Sequence, residues 1–94
     1  VNLYDFKSAL EKHLDPAAMV EEIDIGGPCL LRASSKNFNS ILVLSDPSYY
    51  AEAMEEIEKG GVSLEFRRRM AAATFRTTSN YDDMIATWMA GGVQ

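Results

Sequence analysis

The spacing of hydrophobic positions changes along the 94-residue chain, and each change marks an element. Val1, Leu3 and Phe6 flank the polar Asn2 and Asp5, the pattern of a short strand end near residues 1–4. Phe6, Ala9, Leu10 and His13 then share helical spacing, which predicts a short helix over 6–14. Asp15-Pro16 either stops that helix or starts the next. Residues 17–22 predict a further helical turn, with Met19, Val20 and Ile23 buried and Glu21 and Glu22 facing solvent. Pro28 to about Lys36 reads as a helix with Leu30, Leu31 and Ser34 on one side. Ile41-Leu42-Val43-Leu44 is a continuous apolar run, expected as a strand over 40–45 buried on both faces in a parallel sheet. The expected fold class is therefore α/β: a partial, open, mostly parallel sheet of two strands flanked by helices.

The second half is expected to be helical. Asp46 is an N-cap and Pro47 the first helical residue after it. Tyr50, Ala53, Met54 and Ile57 form an apolar stripe at i, i+3, i+4 and i+7, with Glu52, Glu55, Glu56 and Glu58 on the other face. Lys59-Gly60-Gly61 ends this helix. Ser63 caps the next, and Glu65 in its first turn favours the helix dipole. Ala71-Ala72-Ala73 offers a thin face for close packing, and Thr77-Thr78-Ser79 is a place for a bend or restart. Tyr81, Met84, Ile85, Trp88 and Met89 form a stripe suited to a core or a subunit interface.

Composition narrows the function classes. The net charge is −5 and the only basic tract is Arg67-Arg68-Arg69, so nucleic-acid binding has little electrostatic support. Those arginines suit either a phosphate clamp or surface ion pairs, and ion pairs are the expectation. No apolar run approaches the ~18 residues of a membrane span. One cysteine cannot close an internal disulfide, which fits a reducing, cytoplasmic setting. Cys29 is expected as a small buried filler. His13, beside Lys12, is expected at the surface. Arg32 is expected in a structural ion pair. The sequence offers no metal-ligand cluster. The absence of a starting methionine and the size of the chain suggest a piece of a larger protein.

The chemistry gathers in Ile23-Asp24-Ile25-Gly26-Gly27-Pro28-Cys29-Leu30-Leu31-Arg32-Ala33-Ser34-Ser35-Lys36-Asn37. A carboxylate sits between branched apolar residues, and a Gly-Gly pair follows where the backbone must turn or approach something closely. Pro28 pre-sets the helical φ at a helix start. Free N–H groups there favour an anion or a polarised oxygen. This stretch resembles the IDIGG-x-x-LLRAAAKN segment of the IMP cyclohydrolase domain of the bifunctional purine-biosynthesis enzymes that also carry AICAR transformylase. Val1-Asn2-Leu3-Tyr4-Asp5-Phe6 is similar to the family's VNLYPF, with Asp5 in place of the proline. Leu42 to Tyr50 resembles VVVDPxDY, Ser63 to Arg69 resembles SLExRRR, and Phe75 to Asp82 resembles F-x-H-T-x-x-YD. The likeness runs in the family's order over nearly the whole chain.

The resemblance implies that residues 1–94 are the C-terminal portion of an IMP cyclohydrolase domain with no second domain, on a methylglyoxal-synthase-like sheet. It implies closure of the purine ring of 5-formamidoimidazole-4-carboxamide ribonucleotide to inosine monophosphate, with loss of water. Lys36 would be the acid/base residue, Asp24 would orient the amide or relay a proton, and Tyr4 would bring a hydroxyl to the same atoms. Val1, Asn2, Asp24, Ile25, Gly26 and Gly27 would bind the base and carboxamide. The cyclisation would use no cofactor, and 10-formyltetrahydrofolate would serve only the absent transformylase domain. The parent would be a homodimer acting on a purine nucleotide, without nucleic-acid or membrane partners, and this piece alone would be inactive.

Spacing raises a problem that the resemblance does not solve. Eight helical steps from Pro28 to Lys36 cover roughly 12 Å. Asp24 and Lys36 can serve one site only if the segment bends, the lysine reaches back, or one of them comes from a second subunit. The alternative function is a non-catalytic α/β dimerisation or interaction domain, which would have no need of Asp24, Lys36 and Tyr4 together. A generic phosphate binder is disfavoured because no GxxxxGK[ST] loop occurs.

Overall fold

In a computed structural model, residues 6–12 and 15–91 are described. They form helices α1 (Phe6–Glu11), α2 (Pro16–Glu21) and α3 (Gly26–Lys36), a 3-10 turn (Pro47–Tyr49) leading into α4 (Tyr50–Glu58), and α5 (Leu64–Ala90). Three capping side chains fix where helices start. Asp15 accepts the Ala18 N–H at 2.9 Å, Asp46 accepts the Ser48 N–H at 2.8 Å, and the Ser63 hydroxyl accepts the Phe66 N–H at 3.1 Å. The Ser48 N–H also holds the Asp46 carboxyl below its ordinary range. Gly60 (φ 108°) and Gly61 (φ 148°) occupy backbone conformations closed to other residues, and they turn the chain from α4 to α5.

No strand or sheet occurs among the described residues, which overturns the expected α/β fold and its open parallel sheet. The strand expected near residues 1–4 lies outside them. The one expected over 40–45 forms no ladder. A strand exists through hydrogen bonds to a neighbouring strand, and residues 41–44 meet helices instead. Their side chains still alternate. Val43 packs with Leu31 of α3 and Ala71 of α5, while Leu42 and Leu44 turn to Ala53, Phe66 and Met70 between α4 and α5. The apolar run is thus a wedge between two helical contacts.

α5 is 27 residues long, about 40 Å at 1.5 Å per residue, and it sets the elongated shape of 53 × 22 × 18 Å. Three apolar clusters line it in order. Phe66 and Met70 hold α4 through Ala53, and Ala71 holds α3 through Leu31. Tyr81, with Met84, Ile85 and Trp88, holds α1 through Ala9 and α2 through Met19. The helix runs on without interruption through Thr77-Thr78-Ser79. Thr74, Thr77 and Thr78 donate their hydroxyls to the carbonyls of Met70, Ala73 and Phe75 at 2.9–3.0 Å, so their oxygens are satisfied without breaking the helix.

Several burial expectations are corrected. On α3 the inward face is Pro28, Leu31 and Ser35, so Leu30 and Cys29 stand outside. Cys29 is an exposed thiol, not a buried filler. Val20 is exposed although Met19 beside it is 1 % exposed. Of the α4 stripe only Ala53 is buried, and Tyr50, Met54 and Ile57 remain about half exposed.

The basic tract divides its tasks. Arg67 donates Nε to the Phe38 carbonyl at 3.0 Å and a guanidinium N–H to the Val62 carbonyl at 2.7 Å. It thereby ties the turn after α3 and the α4–α5 connection to α5. Arg69 pairs with Glu52 of α4 and lies over the Phe66 ring, 5.1 Å from its centroid. Replacing Arg67 by Ala leaves two carbonyls to find new donors, and should lower stability by about 1.5–3 kcal/mol in urea unfolding. Arg68→Ala, on the exposed side, should stay within about 0.5 kcal/mol.

Candidate functional site

The α2–α3 loop and the first turn of α3 carry the residues singled out in sequence. Asp24 stands one residue before the cap position at Ile25, which itself makes no side-chain cap bond. The Asp24 carboxylate does that work, accepting the Gly27 N–H at 2.8 Å. Gly27 permits the approach: a Cβ on it would lie 2.6 Å from the Asp24 Oδ2. Gly26 differs, with nothing within 4 Å of where its Cβ would stand. Ile25 is 69 % exposed and Gly26 is exposed, while the Ile25 carbonyl accepts the Cys29 N–H at 3.2 Å. The two glycines thus have separate causes, one serving the carboxylate and the other leaving a clear approach.

A residue 57 positions away completes the arrangement. The Tyr81 phenol oxygen accepts the Asp24 N–H at 2.8 Å, and its hydroxyl donates to the Glu22 carbonyl at 3.4 Å. Burial pushes the Tyr81 phenol above its ordinary value of 10.0, helped by the charges of Asp24, Asp82 and Glu22, while the bond from the Asp24 N–H opposes the shift. The sequence places Tyr81 on a core stripe but gives no sign of this hydroxyl's task.

Lys36 lies elsewhere. It is the last residue of the unbroken α3, about 15 Å along the axis from Gly26. It lines an open cleft of about 580 Å³ between α3 and α5 with Arg32, Ser35, Phe38, Arg68 and Phe75. Arg32 stacks over Phe75, 5.5 Å from the ring centroid, and enters no ion pair among the described residues, contrary to expectation. Ser35 is fully buried, and its hydroxyl has no hydrogen-bond partner among the described residues. Asp24, Ile25, Gly26 and Gly27 are therefore brought together, and Lys36 is not brought to them. The segment does not bend. Val1, Asn2 and Tyr4 lie outside the described residues, as does His13.

Comparison with known proteins assigns the chain to a family. A family model described as the AICARFT/IMPCHase bienzyme matches residues 34–94. The chain belongs to this bienzyme family. It is 47% identical over 97 residues to the bifunctional purine biosynthesis protein PurH of Nostoc sp., covering 100% of this chain and 19% of that protein. It is 40% identical over 99 residues to PurH of Jannaschia sp., with the same coverage of 100% and 19%. With PurH of Lactococcus lactis it shares 46% identity over 90 residues, 95% of this chain and 17% of the relative. The chain thus spans about a fifth of the length of the PurH proteins it matches. Among the described residues no helix is long and apolar enough to cross a membrane.

Two outcomes test the loop. Gly27→Ala should drive the Asp24 carboxylate off the Gly27 N–H and lower thermal stability by about 1 kcal/mol, as loss of a cap does. Gly26→Ala should be neutral or stabilising by up to about 1 kcal/mol, because a helical glycine there meets nothing. The phenol of Tyr81 has its own pH signature. Its folded value lies above the unfolded one, so its contribution is complete below pH 10.0 and is lost as pH rises through the folded value. Tyr81→Phe should remove that part of the alkaline loss in a pH series of melting temperatures.

Proposed function

We propose that this chain is part of the cyclohydrolase centre of a PurH-type bienzyme and takes part in closing the purine ring of 5-formamidoimidazole-4-carboxamide ribonucleotide. The observation that carries this reading is the pre-formed Asp24–Gly27 loop, in a chain similar along its whole length to bifunctional PurH proteins. In the reaction the carboxamide nitrogen attacks the formyl carbon and forms the new C–N bond. The formyl oxygen takes up a proton, the nitrogen gives one up, and water then leaves to give inosine monophosphate. The balance needs no co-reactant. 10-Formyltetrahydrofolate belongs, in this reading, to formyl transfer by another part of the bienzyme.

An intramolecular closure depends first on holding the two reacting groups in line. The Asp24 carboxylate, fixed at the head of α3, suits an amide N–H that must point one way. The clear approach at Gly26, next to Ile25, suits a base edge lying against this turn. Lys36 takes the proton-transfer role from the far end of α3, either reaching back along the cleft or supplied by the second copy of the homodimer, since one α3 holds it apart from Asp24. Tyr4 brings a hydroxyl to the reacting atoms, Val1 and Asn2 bind the base and carboxamide, the purine nucleotide is the ligand, and the working protein is a cytoplasmic homodimer.

The test is cyclisation in the full-length protein, followed by appearance of the purine chromophore from the formylated substrate. Lys36→Met should reduce turnover at least 100-fold, the upper range of a lost acid/base group being about 10⁴, while inosine monophosphate still binds. Unchanged turnover would remove Lys36 from the chemistry and leave the Asp24 loop or the rest of the protein as its centre.

A further inference from the structure

We propose that Tyr81 is a positioning residue for the cyclisation: its hydroxyl, carried on α5, fixes the α2–α3 loop so that the Asp24 carboxylate stands where the ring closure uses it. This rests on the function proposed above. The phenol oxygen receives the Asp24 N–H at 2.8 Å and its proton is directed at the Glu22 carbonyl at 3.4 Å, so one hydroxyl holds the backbone on both sides of Ile23. The ring is only 6 % exposed and packs with Ala9 and Met19, which fixes where the hydroxyl can be. The carboxylate end of Asp24 is separately held by the Gly27 N–H. Asp24 is thus gripped at its backbone by α5 and at its side chain by α3. A residue gripped at two points has little freedom to drift, which is what an orienting carboxylate needs.

The loop is also held by the Glu22 and Ile23 N–H bonds to the Met19 and Val20 carbonyls and by Ile23 packing on the Ala9–Met19–Tyr81 cluster, but these contacts precede Asp24, and Ile25 after it is exposed. α2 has six residues, too few to be rigid by itself. α5 is the long element, and Tyr81 is where it reaches this backbone. Phenylalanine keeps the ring and its packing and removes only the two hydrogen bonds, leaving the half-buried Asp24 N–H without this acceptor.

The experiment uses the full-length protein and measures both of its activities. Tyr81→Phe should lower kcat for cyclisation roughly 10- to 100-fold, the scale of a small misplacement in the site, with KM within about twofold. Formyl transfer by the same molecule should be unchanged, which reports an intact fold. In an Asp24→Asn background the further loss from Tyr81→Phe should largely vanish, since the tyrosine acts through Asp24. Unchanged kcat in Tyr81→Phe, with Lys36→Met still inactive, would overturn the positioning role and leave the proposed function standing. Unchanged cyclisation in both variants would overturn the positioning role and remove Lys36 from the chemistry, whereas a native full-length protein without cyclisation would overturn the function itself. A parallel fall in both activities, or a full additional loss in the Asp24→Asn background, would make Tyr81 merely structural and overturn the proposal.

Discussion

A chain this small that builds its contacts along one long helix cannot gather them into a single core. α5 presents its apolar positions in sequence over about 40 Å, and each shorter element docks on the part it reaches: α4 at Phe66 and Met70, α3 at Ala71, α1 and α2 at Tyr81. These contacts are small, because Ala9, Ala53 and Ala71 are themselves contact residues. Small side chains let backbones approach but bury little apolar surface, and buried area sets the size of the hydrophobic gain. Hydrogen bonds to backbone therefore matter more here than in a thick core. Arg67 ties two connections to α5, and Tyr81 ties a third.

The local chemistry of the chain was mostly legible where the cause lay within three or four residues. Asp15, Asp46 and Ser63 cap helices because each has a short oxygen-bearing side chain just before a helical run, and Gly60-Gly61 turns because only glycine takes those φ angles. At Asp24–Gly27 the turn was legible in the glycine pair, but the bond from the Gly27 N–H to Asp24 was not, and α3 begins at Gly26 rather than Pro28. What else failed was long-range. Ile41–Leu44 has the composition of a buried strand, but composition does not supply a partner strand, and helices fill its two sides. The face of α3 was read as Leu30, Leu31 and Ser34, whereas Pro28, Leu31 and Ser35 turn inward, because two adjacent leucines give periodicity no means of choosing. Arg67 carries no mark that distinguishes it from Arg68 or Arg69, since its acceptors are backbone carbonyls with no sequence signature. Tyr81 shows its ring in the apolar pattern and hides its hydroxyl, whose partners lie 57 and 59 positions away.

The resemblance carried residue identities further than it carried geometry. It placed Asp24 and Lys36 in one centre, and α3 holds them at opposite ends. Pro28 explains part of this. As a proline in the first turn it is compatible with the helix and offers no break, and the following residues to Lys36 contain no glycine. A segment so written has no hinge, so the side chains at its two ends keep their separation.

The same stiffness explains why the two ends of α3 are suited to different tasks. At its head the helix offers N–H groups, and a carboxylate there is favourable to the dipole. At its tail the dipole favours a cation, and Lys36 lies in that last turn beside Arg32 and Arg68 across the cleft. The charges of Asp24 and Lys36 each stand at the terminus that stabilises them, so local electrostatics and the expected site residues make the same demand on this helix. Position is harder to secure than charge. α3 can carry the carboxylate only as steadily as the loop before it is held, and that loop follows a helix of six residues. The steadiness has to come from an element whose own place is fixed by contacts along its length. α5 is the one element that touches all three clusters, and a tyrosine supplies both the ring that joins it to a cluster and the hydroxyl that reaches the loop backbone.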